Sequence, residues 1–362
     1  MASMAVPLGP LLLLRLLGPA VGACAAAWAL DWLCRRKGLM PPGFRRPWRR
    51  AAALVLVAGI LWVGIFLPLG DIGLESRLDL SSISTPRLFL LHVLMGAAVL
   101  GWFALGFAGV GRPGAAPPPA AIPAPLPGEA GAVAEVPVTP PPALPAVAAG
   151  SGARPPSFGR QLAAQLGLVA PNVSFEVLIG LLLGLAAWMA VLLALLATAI
   201  AVYALGGENA LPKPSAIVPW IAALPVLVRV MVALSAGFVE EIFFRGFLQP
   251  RVGIALSSGF FVLAHVSYGQ PFMLLGVTLL SLIYAFLVRW RQTIWPAIAA
   301  HALFDGVQLL VIIPLALRVL GKPAGAKALL AVLAGALRVL GALGGPGWLG
   351  GGLQRLAAGA IW

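Results

Sequence analysis

Several apolar runs in this chain are as long as a bilayer is thick. The stretch 177–205 carries no charged residue, and about 20 such residues suffice to cross the hydrocarbon core. A chain that enters lipid must satisfy every backbone N–H and C=O internally, so only helices and closed barrels are open to it. No alternating ten-residue pattern of the barrel kind occurs, so the fold class read from the sequence is all-α, a polytopic transmembrane helical bundle. Composition agrees. Of 362 residues, 61% are hydrophobic and 10% charged, with a mean hydropathy of +1.01. A soluble surface needs roughly 25–35% charged residues. A soluble enzyme, a secreted disulfide scaffold and a DNA-binding domain are thereby excluded, and Cys24 and Cys34 are too few for a disulfide framework or a zinc finger.

The apolar segments predict about eight helices, at 8–30, 51–69, 88–110, 177–205, 216–249, 253–268, 271–290 and 294–317, with a weaker ninth at 325–343. The net charge of +13 does not point to nucleic acid, because Lys and Arg collect beside helix ends. Arg35, Arg36, Lys37, Arg45, Arg46, Arg49 and Arg50 follow the first helix, which is the positive-inside pattern, with membrane lipid headgroups as the expected partner. Alternation then makes the basic loops and the segment 111–175 cytoplasmic in an integral, multi-pass protein. The prolines of 111–160 remove helix donors and leave few large apolar side chains, so a disordered linker is expected there. Four regions follow: three N-terminal helices (1–110), a Pro/Ala-rich linker (111–175), a helical domain (176–317), and a C-terminal helix with a Gly-rich tail (318–362).

Burying a charge near the bilayer centre costs at least about 2.5–3.5 kcal/mol, so intramembrane ionisable residues usually have a partner or a function. Glu240, Glu241, Arg245, His265, His301 and Asp305 all lie in the C-terminal helices. At a rise of about 1.5 Å per residue, Glu240, His265, His301 and Asp305 fall at similar depth on three helices, in the cytoplasmic half of the membrane. Glu241 and Arg245 are four apart and can pair, as can His301 and Asp305. Glu240 points about 100° away from Glu241, so one carboxylate can be held by Arg245 while the other faces a cavity. A carboxylate there is suited to take a proton from water, and an opposing histidine can share that water. Arg229 shares the face of Glu240 about three turns earlier.

Three motifs carry a family resemblance. Glu240-Glu241-Ile242-Phe243-Phe244-Arg245 has two glutamates and an arginine four residues after the second. Phe261-Val262-Leu263-Ala264-His265 has phenylalanine, then histidine four residues on, and His301-Ala302-Leu303-Phe304-Asp305 has histidine, then aspartate. In order and spacing these resemble the CPBP family of CAAX-processing and bacteriocin-processing (Abi) intramembrane proteases, which includes the type II CAAX prenyl endopeptidases. The resemblance covers about 175–317. It implies hydrolysis of a peptide or protein substrate inside the membrane, with Glu240 and His265 activating water, His301 and Asp305 holding the oxyanion, and Glu241 and Arg245 shaping the site. The family has been called metalloprotease. No His-Glu-x-x-His motif occurs, and Glu240, His265 and His301 are the set that zinc, if used, would take. Asp305 departs from the asparagine of many members, and an ionised aspartate has no proton to donate.

Other readings stand beside this one. A non-catalytic membrane scaffold or immunity protein of the same fold keeps the cluster without the reaction, and a proton-coupled carrier uses similar Glu/His groups. His92, in the third helix, has no such company in the sequence and reads as structural. Trp220, Trp290 and Trp295 read as interfacial anchors.

Overall fold

The computed structural model describes residues 8–70, 84–108, 157–207, 210, 217–266, 270–320 and 335. Every regular element among them is helical. In chain order these are α1 (Leu8–Arg36), α2 (Pro47–Leu69), α3 (Thr85–Phe107), the short α4 (Phe158–Gln165), α5 (Val173–Gly206), α6 (Ile217–Ala223), α7 (Val226–Val252), α8 (Ile254–Ala264), α9 (Pro271–Arg291) and α10 (Trp295–Arg318). Among the described residues six helices are long and apolar enough to cross a membrane, or seven if the bent pair α6–α7 is one span. The chain is an integral, multi-pass membrane protein.

Two expected helices differ in form. The run 216–249 is broken, with α6 and α7 meeting at a bend of 116°. Pro225 causes it: its ring would clash with the carbonyl four residues back, and it drives the preceding residue out of the helical region. The run 253–268 yields only the eleven residues of α8, too short to span. Gly253, at φ +89°, lets the chain reverse between α7 and α8. The expected ninth helix at 325–343 and the part of the linker at 111–156 lie outside the described residues, Gly335 excepted. From Ser157 onward the expected linker is helix α4, then a turn into α5 whose first N–H groups are capped by Asn172 Oδ1, 3.0 Å from Phe175 N.

Close packing between helices rests on small residues, since lipid tails give no hydrophobic drive for helices to associate. Gly180 and Gly184 of α5 lie against Pro296 and Ala300 of α10, and a methyl on Gly184 would sit 2.7 Å from Ala300 Cα. Gly237 of α7 meets Ala302 of α10 equally closely, 2.8 Å from an added methyl. These contacts seat the α10 turn that carries His301.

The apolar interior forms two clusters. One joins α1, α2 and α3 to Phe243, Phe244, Phe247 and Leu248 of α7 and Phe261 of α8. The other joins α5, α9 and α10 around Tyr284 and Ala300. Around the first, Asp31 accepts two hydrogen bonds from Arg50, at 2.6 and 2.9 Å. Arg251, 4% exposed, closes the far end of α7, its guanidinium 4.5 Å from the ring centres of both Trp102 and Phe247. The N-terminal helices therefore share a core with the helix that carries the two glutamates.

Gly184→Val should push α5 from α10 and lower the thermal stability of the solubilised protein by at least about 1–3 kcal/mol. Gly96→Ala, whose added methyl meets nothing within 4 Å inside α3, should leave the melting temperature unchanged or raise it slightly.

Candidate active site

The middle of α7 is not wound as an ordinary α-helix. Ala236–Glu240 and Ile242–Leu248 adopt the wider π winding, with i→i+5 bonds, a feature concentrated at functional sites. Residues in such a turn do not follow the 100° steps of an α-helix, so the directions of Glu240, Glu241 and Arg245 come from the tertiary structure.

Glu241 and Glu240 lie in different environments. Glu241 and Arg245 have no exposed side-chain surface, and Arg245 Nε stands 3.2 Å from Glu241 Oε2, off the N–H axis, so the contact is one of charge rather than an aligned hydrogen bond. Arg245 Nη2 donates to the carbonyl and to Oγ of Ser281, each at 3.2 Å, and its guanidinium lies 4.3 Å above the Phe261 ring. The other oxygen of Glu241 is 2.8 Å from His301 Nδ1. Glu241 is thus held from two sides, by α7 itself and by α10.

Glu240 faces a cavity of about 540 Å³, most of whose wall is apolar, and its side chain is 14% exposed. His265, at the C-terminal end of α8, also lines the cavity. Its Nδ1 is 2.7 Å from Phe261 O, which can only accept, so Nδ1 carries the proton and Nε2 is turned toward Glu240 Oε2, 3.9 Å away. Phe261 stacks on the imidazole, the ring centres 4.6 Å apart, and holds its plane. Glu240 Oε2 is buried and accepts no hydrogen bond from the protein. Asp305 and His301 lie on the same wall, with His301 Nε2 3.5 Å from Asp305 Oδ2.

The structure brings all six sequence-chosen residues together, in two subsets rather than one. Glu240 pairs with His265, whereas His301 bridges Glu241 and Asp305. In that division both ring nitrogens of His301 are turned to carboxylates other than Glu240, its companion in the set zinc would take. Among the described residues no three His, Cys, Asp or Glu side chains form a group able to hold a metal ion. Arg229 does not reach Glu240 either; it is buried and donates to Leu309 O at 2.8 Å.

Among the cavity residues not foreseen, three stand beside the polar cluster or over it. His92 of α3, read as structural, stands 3.4 Å from Glu240 Oε1. No sequence signal joins it to the motifs, since 148 residues separate it from Glu240. Trp220, read as an interfacial anchor, lines the cavity because the bend at Pro225 folds α6 over it. Tyr284 of α9 is 1% exposed and stacks on His301 with ring centres 5.2 Å apart. A lone tyrosine in an apolar helix carries no signal of such a role.

Comparison with known proteins bears on the same segment. Residues 222–307 match the family described as type II CAAX prenyl endopeptidase Rce1-like. The match includes Glu240, Glu241, Arg245, His265, His301 and Asp305, and leaves out His92. The uncharacterized protein YpbD of Bacillus subtilis (strain 168) is 29% identical over 79 residues, which are 22% of this chain and 42% of YpbD. The chain thus spans less than half the length of that relative. No solved structure matches it.

Removing one partner of a buried ion pair leaves an uncompensated charge, so Arg245→Ala should lower thermal stability by about 3–5 kcal/mol. Replacing both partners, as Glu241→Gln with Arg245→Met, should recover much of that loss in the same melting experiment.

Proposed function

We propose that this membrane protein, Rce1-like over residues 222–307, is an intramembrane endopeptidase of the type II CAAX prenyl endopeptidase kind. The observation that carries the reading is the Glu240 carboxylate, with one oxygen buried, unbonded and set 3.9 Å from His265 Nε2 in an apolar cavity. A water placed between these two acceptors directs a hydrogen to each and turns a lone pair toward the cavity, where the peptide carbonyl would lie.

The chemistry follows from that placement. Glu240 Oε2 takes a proton as the water oxygen bonds to the carbonyl carbon. The resulting oxyanion is met by His301 Nε2–H, the donor on the same wall; with Nδ1–H given to the Glu241 carboxylate at 2.8 Å, the ring acts as imidazolium. Collapse of the tetrahedral species breaks the C–N bond, and Glu240 returns its proton to the leaving amine. Asp305, 3.5 Å from the same Nε2 before substrate binds, has as a carboxylate no proton for the oxyanion; the single Nε2–H turns from Asp305 to the oxyanion as the tetrahedral species forms. Glu241 and Arg245 hold the His301 ring from behind. No step requires a metal. Residues 176–317 are the proteolytic domain in this reading, and the basic loops with the linker 111–175 face the cytoplasm by the positive-inside pattern.

The test compares new protein N-termini in membranes of cells carrying the wild type or Glu240→Gln at matched expression. Loss of a general base lowers rates by roughly 10²–10⁴-fold, so a set of termini should vanish in the variant and identify the substrate. An unchanged set of termini would leave the non-catalytic scaffold as the reading.

A further inference from the structure

His92 lies outside every motif and outside the family match, yet it touches the residue on which the hydrolase reading turns. Resting on that reading, we propose that His92 is a positioning residue for the Glu240 carboxylate, and that the three N-terminal helices thereby supply part of the active site.

Hydrogen-bond accounting gives the argument. The Ser235 hydroxyl has one proton and two acceptors in reach, Val232 O at 3.1 Å and His92 Nδ1 at 3.0 Å. Given to Nδ1, it leaves the ring's own proton on Nε2. The ring then presents Nε2 to Glu240 Oε1 at 3.4 Å. A carboxylate oxygen repels a bare ring nitrogen, so the Glu240 contact selects this tautomer, in which Nε2–H donates to Oε1. The separation is long for a direct bond, as catalytic contacts often are before substrate binds.

The consequence is a division of labour within one carboxylate. Oε1 is taken by His92, and Oε2 is the oxygen left without a bond and turned toward His265. With rotation about the last side-chain bond stopped at one oxygen, the other is aimed at the shared water. His92 is itself held by the core that α3 builds with α7, in which Trp102, Phe103 and Phe247 pack edge to face at ring separations of 5.0 to 6.3 Å. A carboxylate on a helix with no such brace can swing, and a misplacement of about 1 Å costs roughly a hundredfold in rate.

Two conservative variants separate the two bonds of the ring. Gln places an amide nitrogen near the position of Nε2 and retains the Glu240 contact; Asn places its amide near Nδ1 and retains only Ser235. In full-length protein in membranes, His92→Asn should slow the appearance of Glu240-dependent N-termini roughly tenfold to a hundredfold, and His92→Gln should restore it to within about threefold of wild type. Equal activity in the two variants, or equal loss accompanied by a matching fall in melting temperature, would mark His92 as an interhelical tie and overturn the proposal. If no terminus depends on Glu240, the hydrolase reading fails by itself, and a second measurement decides the pairing. The chain has three histidines, so ¹⁵N spectra of the solubilised protein resolve each ring, with His92→Gln assigning its signals. A shift of the His92 Nε2 signal on Glu240→Gln supports the contact, and an unmoved signal overturns it.

Discussion

A carboxylate with no exposed surface cannot hold its charge in an apolar bundle unless the protein replaces the water it gave up. Glu241 is in that position, and the C-terminal half of the structure is arranged around its replacement. Arg245 supplies the opposite charge from the same helix, His301 supplies a 2.8 Å contact from α10, and Arg245 is in turn held by Ser281 of α9 and the Phe261 ring of α8. One buried charge thus ties four helices together. It also sets His301 in the orientation that turns Nε2 to the cavity and Asp305.

Glu240 depends on this frame without belonging to it. The π-wound segment of α7 sends adjacent glutamates into different surroundings, one dry and paired, the other on the wall of a cavity of about 540 Å³. The glycines that let α5 and α7 approach α10 hold His301 at a fixed height beside it. On the opposite side, the aromatic core shared by α3 and α7 brings the N-terminal helices to the same cavity. Arg251, enclosed by Trp102, Phe103 and Phe247, closes that core.

Some of this was legible in the order of residues, and the reason is local. Four-residue spacing on a helix puts side chains on one face, so the His301–Asp305 contact needed only helical geometry; Glu241 and Arg245 have the same spacing and meet although the turn between them is π-wound. The break at Pro225 was present in the sequence as well, but a long apolar run concealed it, because hydropathy is blind to backbone direction. Glu240, His265, His301 and Asp305 were grouped by depth and by the order of three motifs. Depth places residues along the membrane normal and says nothing of which way a ring turns, and His301 turns to Glu241.

His92, Trp220 and Tyr284 mark where local inference ends. Each is a single residue in an apolar helix, and each reaches the cavity through packing between segments distant in the chain. By itself the sequence determined that the chain is helical and crosses the membrane, since lipid leaves the backbone no other partner, and it determined which charges lie within the helices. The tertiary structure alone decided which oxygen of which glutamate remains unbonded, which nitrogen of which histidine faces it, and that an N-terminal helix stands at its side. Those outcomes depend on contacts between helices, set by side-chain volume and close approach of backbones, which no spacing along a single helix encodes.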